Sequence, residues 1–367
     1  MRRMILGLAA AAFLVAACTG GTAASPSPTR TPDIRRAKLD IAYTAFVTQD
    51  VHHATSKKAL EAALEAVKQE IVTAGGKADV RTPEFTDIEE TSLEDFKKFA
   101  DVVSQLAAQN PNVSANRIAD AAITGMIRVS PDCHTQYITG GRVINSSTRA
   151  LSGGNAVVPA GGTSLGGPDE AGLTGKILPS GIAYITWREF VVNGTYKGND
   201  ALKAILERAL AQGARAWIFD LRGNLGGSAV DMTSFFLDGE PRYRIELKNG
   251  FAGTSTAIKA LRLPPEYQLP IVVIVNGRSA SASEVFALSL QENNRATIVG
   301  QRTRGCLGGF FPNGLVEGSD LHVAAEEFVG AVTGAKYNNV GMPPDVPADD
   351  ATAVDKAIEI LKAKIGQ

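Results

Sequence analysis

The chain has 367 residues, of which 44% are hydrophobic and 20% are charged, and its formal net charge is −1. This composition predicts a packed globular core and argues against a disordered chain. The sequence contains no basic stripe, so nucleic acid is not an expected partner. The length suits one large domain or two domains of medium size.

The first residues predict an export signal that ends in a lipid attachment site. Two arginines follow Met1, and Met4–Ala16 is an apolar run too short to be a good membrane span. The run ends in Leu-Val-Ala-Ala-Cys18, which resembles a bacterial lipobox. In a lipobox the cysteine is lipidated and becomes the mature N-terminus, so we expect a lipid-anchored protein on the extracytoplasmic face of the membrane. The alternative is an ordinary signal with a chance cysteine.

The pattern along the chain predicts six regions. They are a signal peptide over 1–17, a Pro/Ser/Thr-rich tether over 18–36, a helical unit over 37–142, a glycine-rich connection over 143–174, a core over 175–350 and a closing helix over 351–367. The helical unit is expected to hold about three helices, because apolar residues recur there at helical spacing. One helix contains Leu60 and Ile71, the second starts at Ser92, and the third covers Ser114–Val129.

From residue 175 onward, apolar strands alternate with helical segments, which is typical of α/β layering. The predicted strands are Ile182–Trp187, Ala216–Leu221, Pro270–Val275 and Ala296–Val299. The predicted helices are Asn199–Ala211, Ser228–Leu237 and Ala282–Gln291. The fold class expected for the core is therefore α/β.

A serine-rich corner joins one of these strands to the next helix. Residues 275–285 read Val-Asn-Gly-Arg-Ser-Ala-Ser-Ala-Ser-Glu-Val. A small hydroxyl residue at such a corner is exposed beside the free N–H groups of the helix, which is the geometry that a serine nucleophile needs. Upstream, Asp-Leu-Arg-Gly-Asn-Leu-Gly-Gly (220–227) ends another strand in a glycine turn, which can present backbone N–H groups to an oxyanion. A formal G-x-S-x-G around Ser164 is discounted, since no clear strand precedes it and no helix follows it.

Four ordered motifs carry a family resemblance. They are Asp-Leu-Arg-Gly-Asn-x-Gly-Gly, Asn-Gly-Arg-Ser-Ala-Ser-Ala-Ser-Glu, Gly-Gln-Arg-Thr-Arg-Gly (300–305) and Val-Gly-Met-Pro-Pro-Asp (340–345). In this order they resemble the C-terminal processing (tail-specific) peptidases and their relatives, the tricorn core peptidases and the interphotoreceptor retinoid-binding protein modules. The resemblance covers roughly residues 115–350. It implies a crotonase-like β/α spiral core.

The resemblance also implies roles for residues of the serine-rich corner. Ser281 would be the nucleophile, and the N–H of Ala282 with that of Gly226 or Gly227 would form the oxyanion hole. Ser279 and Ser283 are alternatives that we interpret as small residues shaping the turn and capping the helix. Glu284 is interpreted as structural.

The chain departs from the Ser–Lys type of these peptidases, which place a lysine after the glycine of Thr-x-Gly. Here Cys306 stands at that position, and no lysine occurs between Lys259 and Lys336. Serine needs a base, and histidine titrates near neutrality. His134 lies in Asp-Cys-His-Thr, which resembles the segment of the lysine-free members, so His134 is predicted to be the general base.

The group that would orient His134 is left open among Asp132, Glu326, Glu327 and Asn339. Three other histidines are present. His52 and His53 are expected at the surface near the tether, and His322 is expected to be incidental.

Two cysteines remain after Cys18, and if His134 reaches Ser281 they lie at the same site. The hypothesis is a Cys133–Cys306 disulfide that ties the helical unit to the core. It would stabilise the protein by up to roughly 4–5 kcal/mol. The alternative is that Cys306 is a thiol nucleophile partnered by His134.

The resemblance thus implies a serine endopeptidase acting on peptides or unfolded proteins, with no cofactor, and the lipobox-like segment adds the expected lipid anchor. No metal site is predicted, because no ligand cluster has suitable spacing. About 35 residues separate Arg142 from Leu178, too few for the PDZ domain that such peptidases often carry. A catalytically inactive lipoprotein that binds a peptide or apolar ligand is the alternative function, and an esterase is a weaker one.

Overall fold

The computed structural model describes residues 33–191, 197–227 and 231–367. Its helices are α1 Arg36–Gln49, α2 Ser56–Thr73, α3 Leu93–Gln109, α4 Ala115–Ile127, α5 Gly198–Ala211, α6 Ala282–Glu292 and α7 Ala353–Lys364. Among these helices, none is long and apolar enough to cross a membrane. The predicted signal peptide and Cys18 lie outside the described residues.

The strands form two sheets. In chain order they are β1 Gln136–Thr139, β2 Arg142–Asn145, β3 Thr163–Gly166, β4 Thr174–Ile177, β5 Ile182–Thr186, β6 Ala216–Asp220, β7 Pro241–Leu247, β8 Gly250–Thr256, β9 Ile271–Val275, β10 Ala296–Gly300, β11 Gly308–Gly314, β12 Asp320–Gly330 and β13 Val346–Pro347. The mixed sheet has the order β13-β10-β9-β6-β5-β4-β3. The antiparallel sheet has the order β2-β1-β12-β7-β8, with β11 also paired to β12.

The predicted α/β fold class is confirmed in the mixed sheet. Strands β5, β6, β9 and β10 are parallel neighbours, and every residue of β5, β6 and β9 is buried. Continuous apolar runs are what a parallel sheet covered on both faces requires. Helix α6 packs on this sheet through Phe286, which stacks edge-on against Trp187 and Phe219. This aromatic cluster supports the turn at the start of α6.

The helical unit differs from the prediction in having four helices. Helix α1 begins at Arg36, inside the predicted tether, and it buries Leu39, Tyr43 and Phe46. These residues do recur at helical spacing, so the signal was present in the sequence. The predicted capping of α3 is correct, because the Ser92 side chain accepts a hydrogen bond from the Asp95 N–H at 3.1 Å.

The antiparallel sheet was missing from the sequence-based predictions. The predicted helix over Ser228–Leu237 is wrong in its described part, where Asp231–Phe235 is a short 3-10 helix. Residues 228–230 lie outside the described residues. Ser164 lies on β3 and accepts a hydrogen bond from the Gly166 N–H at 3.2 Å, so it has a strand but no nucleophile turn.

The helical unit and the antiparallel sheet share one hydrophobic core. Leu321 and Val323 of β12 are fully buried among residues of α1, α2 and α4. The Val51 N–H, just beyond α1, donates to the Ala324 carbonyl at 2.9 Å. Strand β1 follows α4 after eight residues and pairs with β12. This packing carries the segment between α4 and β1 to the start of α6.

Candidate active site

Ser281 occupies a strained turn between β9 and α6. Its backbone has φ 54° and ψ −119°, a conformation that side-chain-bearing residues rarely adopt and that costs on the order of 1–3 kcal/mol. Its neighbours hold the turn in place. The Ser279 hydroxyl donates to the Leu221 carbonyl at 2.9 Å, and the Ser283 hydroxyl donates to the Asn224 carbonyl at 2.9 Å. The interpretation of Ser279 and Ser283 as turn-shaping residues agrees with these contacts.

Gly226 and Gly227 lie against this turn in conformations that favour glycine, with φ of +103° and +137°. A Cβ at Gly226 would lie 2.6 Å from the Ser281 Cβ, so only glycine lets the two turns approach this closely. The Gly226 N–H already donates to Asn224 Oδ1 at 2.9 Å. This corrects the expectation that Gly226 can serve as an oxyanion donor.

The remaining oxyanion candidates are the N–H groups of Ala282 and Gly227. Within the described residues, neither group donates a hydrogen bond to protein. Ala282 is the first residue of α6, where helical N–H groups have no intrahelical acceptor and the helix dipole favours negative charge. Gly227 lines the same cleft as Ser281. The two groups can therefore face the oxygen of a carbonyl that Ser281 attacks.

His134 contacts Ser281 from the segment between α4 and β1. Its Nε2 lies 3.1 Å from Ser281 Oγ, and its Nδ1 lies 3.0 Å from Asp132 Oδ1. An ionised carboxylate only accepts, so Nδ1 carries the proton and Nε2 is free to accept from the serine hydroxyl. The structure thus brings the two predicted residues together, although 147 positions separate them.

Asp132 is the partner of His134 among the four candidates left open by the sequence. It is fully buried and accepts four hydrogen bonds, from the His134 N–H, His134 Nδ1, His52 Nε2 and Asn338 Nδ2. Burial alone would raise the pKa of Asp132, but the hydrogen bonds from His134 and His52 hold it well below its usual range. Asp132 is therefore an anion that fixes the tautomer and orientation of His134.

Within the described residues, the other three candidates make no hydrogen bond to His134. Glu327 pairs with Lys336 at 3.1 Å, and Asn339 Nδ2 lies 3.4 Å from His52 Nε2. Glu326 lies on β12 and makes no hydrogen bond to His134 within the described residues. Burial raises the pKa of Glu326, and the nearby His134 partly offsets this rise.

His52 is a residue that the sequence-based reasoning missed. The expectation that it lies at the surface is wrong, because its side chain is 19% exposed and its Nε2 donates to Asp132 Oδ2 at 2.8 Å. The expectation for His53 is correct, since its side chain is half exposed and contacts the equally exposed Glu89. No local pattern separates these adjacent histidines. Only the docking of α1 on β12 places one of them against Asp132.

Replacing His52 is expected to change how stability depends on pH. Burial alone would lower the pKa of His52, but Asp132, Asp50 and Glu327 together raise it. The stabilisation that charged His52 provides is therefore complete below its unfolded pKa of about 6.5 and is lost as pH rises through the higher folded value. Urea unfolding at pH 6, 7 and 8 should show the stability gap between wild type and His52→Gln narrowing with pH. His53→Gln is the matched control, and a constant gap for His52→Gln would contradict the expectation.

Cys133 and Cys306 form a disulfide beside this site, with their Cα atoms 6.0 Å apart. The bond joins the segment that carries His134 to the loop after β10. The predicted pairing is therefore present, and the alternative in which Cys306 is a free thiol nucleophile does not fit it. The buried Glu284 carboxylate accepts hydrogen bonds from two N–H groups of the same loop.

Glu284 is fully buried and accepts from the N–H groups of Ser281, Gly305 and Cys306 and from the Thr303 hydroxyl, at 2.5–2.9 Å. Burial raises the pKa of Glu284, and these four donors offset part of the rise. This agrees with its predicted structural role.

No cofactor or metal function is supported by the residues around Ser281. Asp132, Cys133 and His134 place one donor atom each within 4.8 Å of one another. However, the Cys133 sulfur is in a disulfide, and both ring nitrogens of His134 already have partners. A catalytic metal needs three free ligands and an open position. The prediction that the protein uses no metal stays a prediction.

A strand-to-helix serine in contact with a histidine that a carboxylate orients is the arrangement that serine hydrolases use. Sequence comparison narrows this class. Residues 181–348 match the model of peptidase family S41. This region includes Ser281, Ala282 and Gly227, whereas His134 and Asp132 precede it.

Curated relatives show the same likeness. The chain is 31% identical over 175 residues to a carboxyl-terminal-processing protease of a Picosynechococcus species, covering 45% of this chain and 38% of that protein. It is 37% identical over 98 residues to the carboxy-terminal processing protease CtpA of Bacillus subtilis, covering 26% and 20%. The chain thus spans less than two fifths of the length of either relative.

Two solved structures share the fold over most of the chain. One is a lipoprotein from Streptococcus agalactiae, with a TM-score of 0.51 and 14% identity, covering 85% of this chain and 97% of that chain. The other is a candidate peptidase from Parabacteroides merdae, with a TM-score of 0.51 and 18% identity, covering 85% and 98%. Both similarities concern the fold alone. At 85% of the chain they cover more than the family model, which begins at residue 181 and leaves out the helical unit.

Proposed function

We propose that this chain is a serine endopeptidase that hydrolyses peptide bonds of peptides or unfolded proteins through an acyl-enzyme on Ser281. The observation that carries the proposal is the 3.1 Å contact between His134 Nε2 and Ser281 Oγ on a strained turn. His134 removes the hydroxyl proton as Ser281 attacks the carbonyl carbon. Ala282 and Gly227 then hold the resulting oxyanion, a role worth about 3–4 kcal/mol per donor where it has been measured.

The second half of the cycle uses the same groups. Protonated His134 gives its proton to the leaving amine, and the anionic Asp132 stabilises the imidazolium in the interval. A water molecule, deprotonated by His134, then hydrolyses the acyl-enzyme and regenerates the Ser281 hydroxyl. A single serine–histidine pair therefore serves both steps without a lysine.

Active-site labelling with a fluorophosphonate tests the catalytic part of the proposal without a known substrate. We expect the purified full-length chain to be labelled and both Ser281→Ala and His134→Ala to lose labelling. Ser164→Ala is the control, since Ser164 sits in a formal G-x-S-x-G but on an exposed strand. Absence of labelling in folded wild type, with and without reductant, would overturn the proposal. The inactive binding lipoprotein would then be the better account.

The proposed location is the extracytoplasmic face of the membrane, with a lipid on Cys18. The support is the lipobox-like Leu-Val-Ala-Ala-Cys and the tether that follows it. We expect the full-length protein expressed in a bacterium to partition into the detergent phase of Triton X-114, and Cys18→Ser to shift it to the aqueous phase. Equal partitioning of the two proteins would rule out the lipid anchor.

A further inference from the structure

The loop that replaces the lysine motif places a cation in the catalytic cleft. The cleft has a volume of about 660 Å³, and Arg304 lines it together with Ser281, His134 and Gly227. The backbone fixes Arg304 there, because its N–H donates to the Ser279 carbonyl at 3.0 Å. Two residues later, the Cys306 disulfide anchors the other end of the loop. Arg304 therefore sits on the rigid frame that also holds the nucleophile.

The guanidinium of Arg304 has no protein partner in the described part of the chain. It makes no side-chain hydrogen bond or ion pair, and its Nη1 is buried without an acceptor. Buried donors in folded proteins nearly always have a partner, so an orphan at a ligand cleft calls for an explanation. Arg222 gives a contrast, since it pairs with Asp220 and also donates to the Asp350 carbonyl.

Arg149 and Glu284 are the charged groups that act on Arg304, and Glu189 lines the same cleft without an ion pair to Arg304 within the described residues. Burial, together with the nearby charge of Arg149, lowers the pKa of Arg304. Glu284 is the acid that favours its charge, but the oxygens of Glu284 are already committed to four other donors. The exposed Arg149 is held by the carbonyls of Asn339 and Val340, and it too lacks a carboxylate partner within the described residues. An anionic ligand would supply what both arginines lack.

We propose that Arg304, supported by Arg149, binds a carboxylate of the substrate beside the bond that Ser281 attacks. The inference rests on the proposed peptidase function and names its substrate class, namely peptides with an acidic side chain or a free C-terminus near the cleavage point. Arginine suits this role because its planar fork can hold both oxygens of a carboxylate. Arg304 acts here as a specificity residue and takes no part in proton transfer.

The test measures binding separately from chemistry. Full-length Ser281→Ala would be titrated into fluorescein-labelled decapeptide pools with randomised uncharged positions. The first two pools lack acidic residues and differ only in a free or an amidated C-terminus. The other two are amidated and differ only in one central Glu or Gln. In one of the two pairs, we expect the pool that carries the carboxylate to bind about tenfold more tightly than the pool that carries the amide. The pair that shows this difference tells whether the recognised carboxylate is the C-terminus or an acidic side chain.

Variants assign the preference to Arg304. In the Ser281→Ala background, Arg304→Gln should abolish the preference and Arg304→Lys should keep part of it. Arg188→Gln is the matched control, because it removes the same charge from a neighbouring groove rather than from the catalytic cleft. Equal affinities for paired pools, including no binding to either, would overturn the inference. A preference that survives Arg304→Gln would also overturn it.

Labelling separates this inference from the proposed function. Fluorophosphonate carries no carboxylate, so the labelling of Ser281 in the wild-type chain reports the proposed function independently of any carboxylate preference. Labelling without a carboxylate preference would leave the peptidase proposal standing and refute the role of Arg304. An Arg304-dependent preference in a chain that is never labelled would instead support a carboxylate-binding cleft and refute the peptidase.

Discussion

Asp132→Asn is expected to slow labelling of Ser281 by about 10⁴-fold, the size of the loss in turnover when the aspartate of a Ser–His–Asp site becomes asparagine. The physical reason is the tautomer of His134. Asp132 Oδ1 accepts from Nδ1 at 3.0 Å, and Oδ2 is occupied by two further donors, so either orientation of an amide sets an NH₂ group against donors. When the amide NH₂ faces Nδ1, His134 carries its proton on Nε2 and cannot accept from the serine. The measurement is the second-order rate constant of fluorophosphonate labelling.

Asp320→Asn is the matched control for this substitution. Asp320 Oδ2 also lies next to a histidine, 3.3 Å from His322 Nε2, in the antiparallel sheet that Asp132 precedes. His322 stacks on Phe310 and makes no contact with Ser281 within the described residues. The rate at which the Asp320→Asn variant is labelled should stay within about twofold of the wild-type rate, as expected for a substitution outside the reacting groups. A folded Asp132→Asn protein with the wild-type labelling rate would remove Asp132 from the proposed mechanism.

Loss of the Cys133–Cys306 disulfide is expected to lower the free energy of unfolding by about 5 kcal/mol in the chain-entropy model, because the bond closes a loop of 173 residues. The bond also links the segment that bears His134 to the loop beside Ser281. We therefore expect the labelling rate of Ser281 to fall as well. Urea unfolding of wild type and of Cys133→Ala/Cys306→Ala measures the first effect.

Reductant supplies the control within the same experiment. Dithiothreitol should shift wild type toward the unfolding midpoint of the double variant and leave the double variant unchanged. The third cysteine, Cys18, precedes the described residues, and the proposed lipid would block its thiol. Two free thiols in alkylated, non-reduced protein would contradict the disulfide. An unfolding midpoint insensitive to reductant would show that the bond does not stabilise the fold.

The parallel part of the fold was predictable because each of its elements has a local signal. Strands β5, β6 and β9 are continuous apolar runs, buried at every position. The antiparallel sheet escaped prediction because its signal is weak. Strand β8 has mostly exposed or half-exposed residues, and β12 mixes buried and half-exposed positions without strict alternation. Such strands are specified by pairing with distant partners and not by their own composition.

The sequence by itself predicted the serine-rich corner, the glycine turn and His134 as the candidate base, because these residues lie in contiguous motifs. Only the tertiary structure decided that Asp132 orients His134, that His52 shares that carboxylate, that Gly226 is already bonded and that Arg304 lacks a partner. The Asp132–His134 and Asn224–Gly226 bonds each join residues two positions apart, and they depend on the folded conformation of the backbone, whereas the His52–Asp132 bond joins remote segments. His52 reaches Asp132 because α1 docks on β12, across 80 residues of chain. Whether a polar group has a hydrogen-bond partner depends on how the whole molecule packs, and the order of residue types along the chain does not show it.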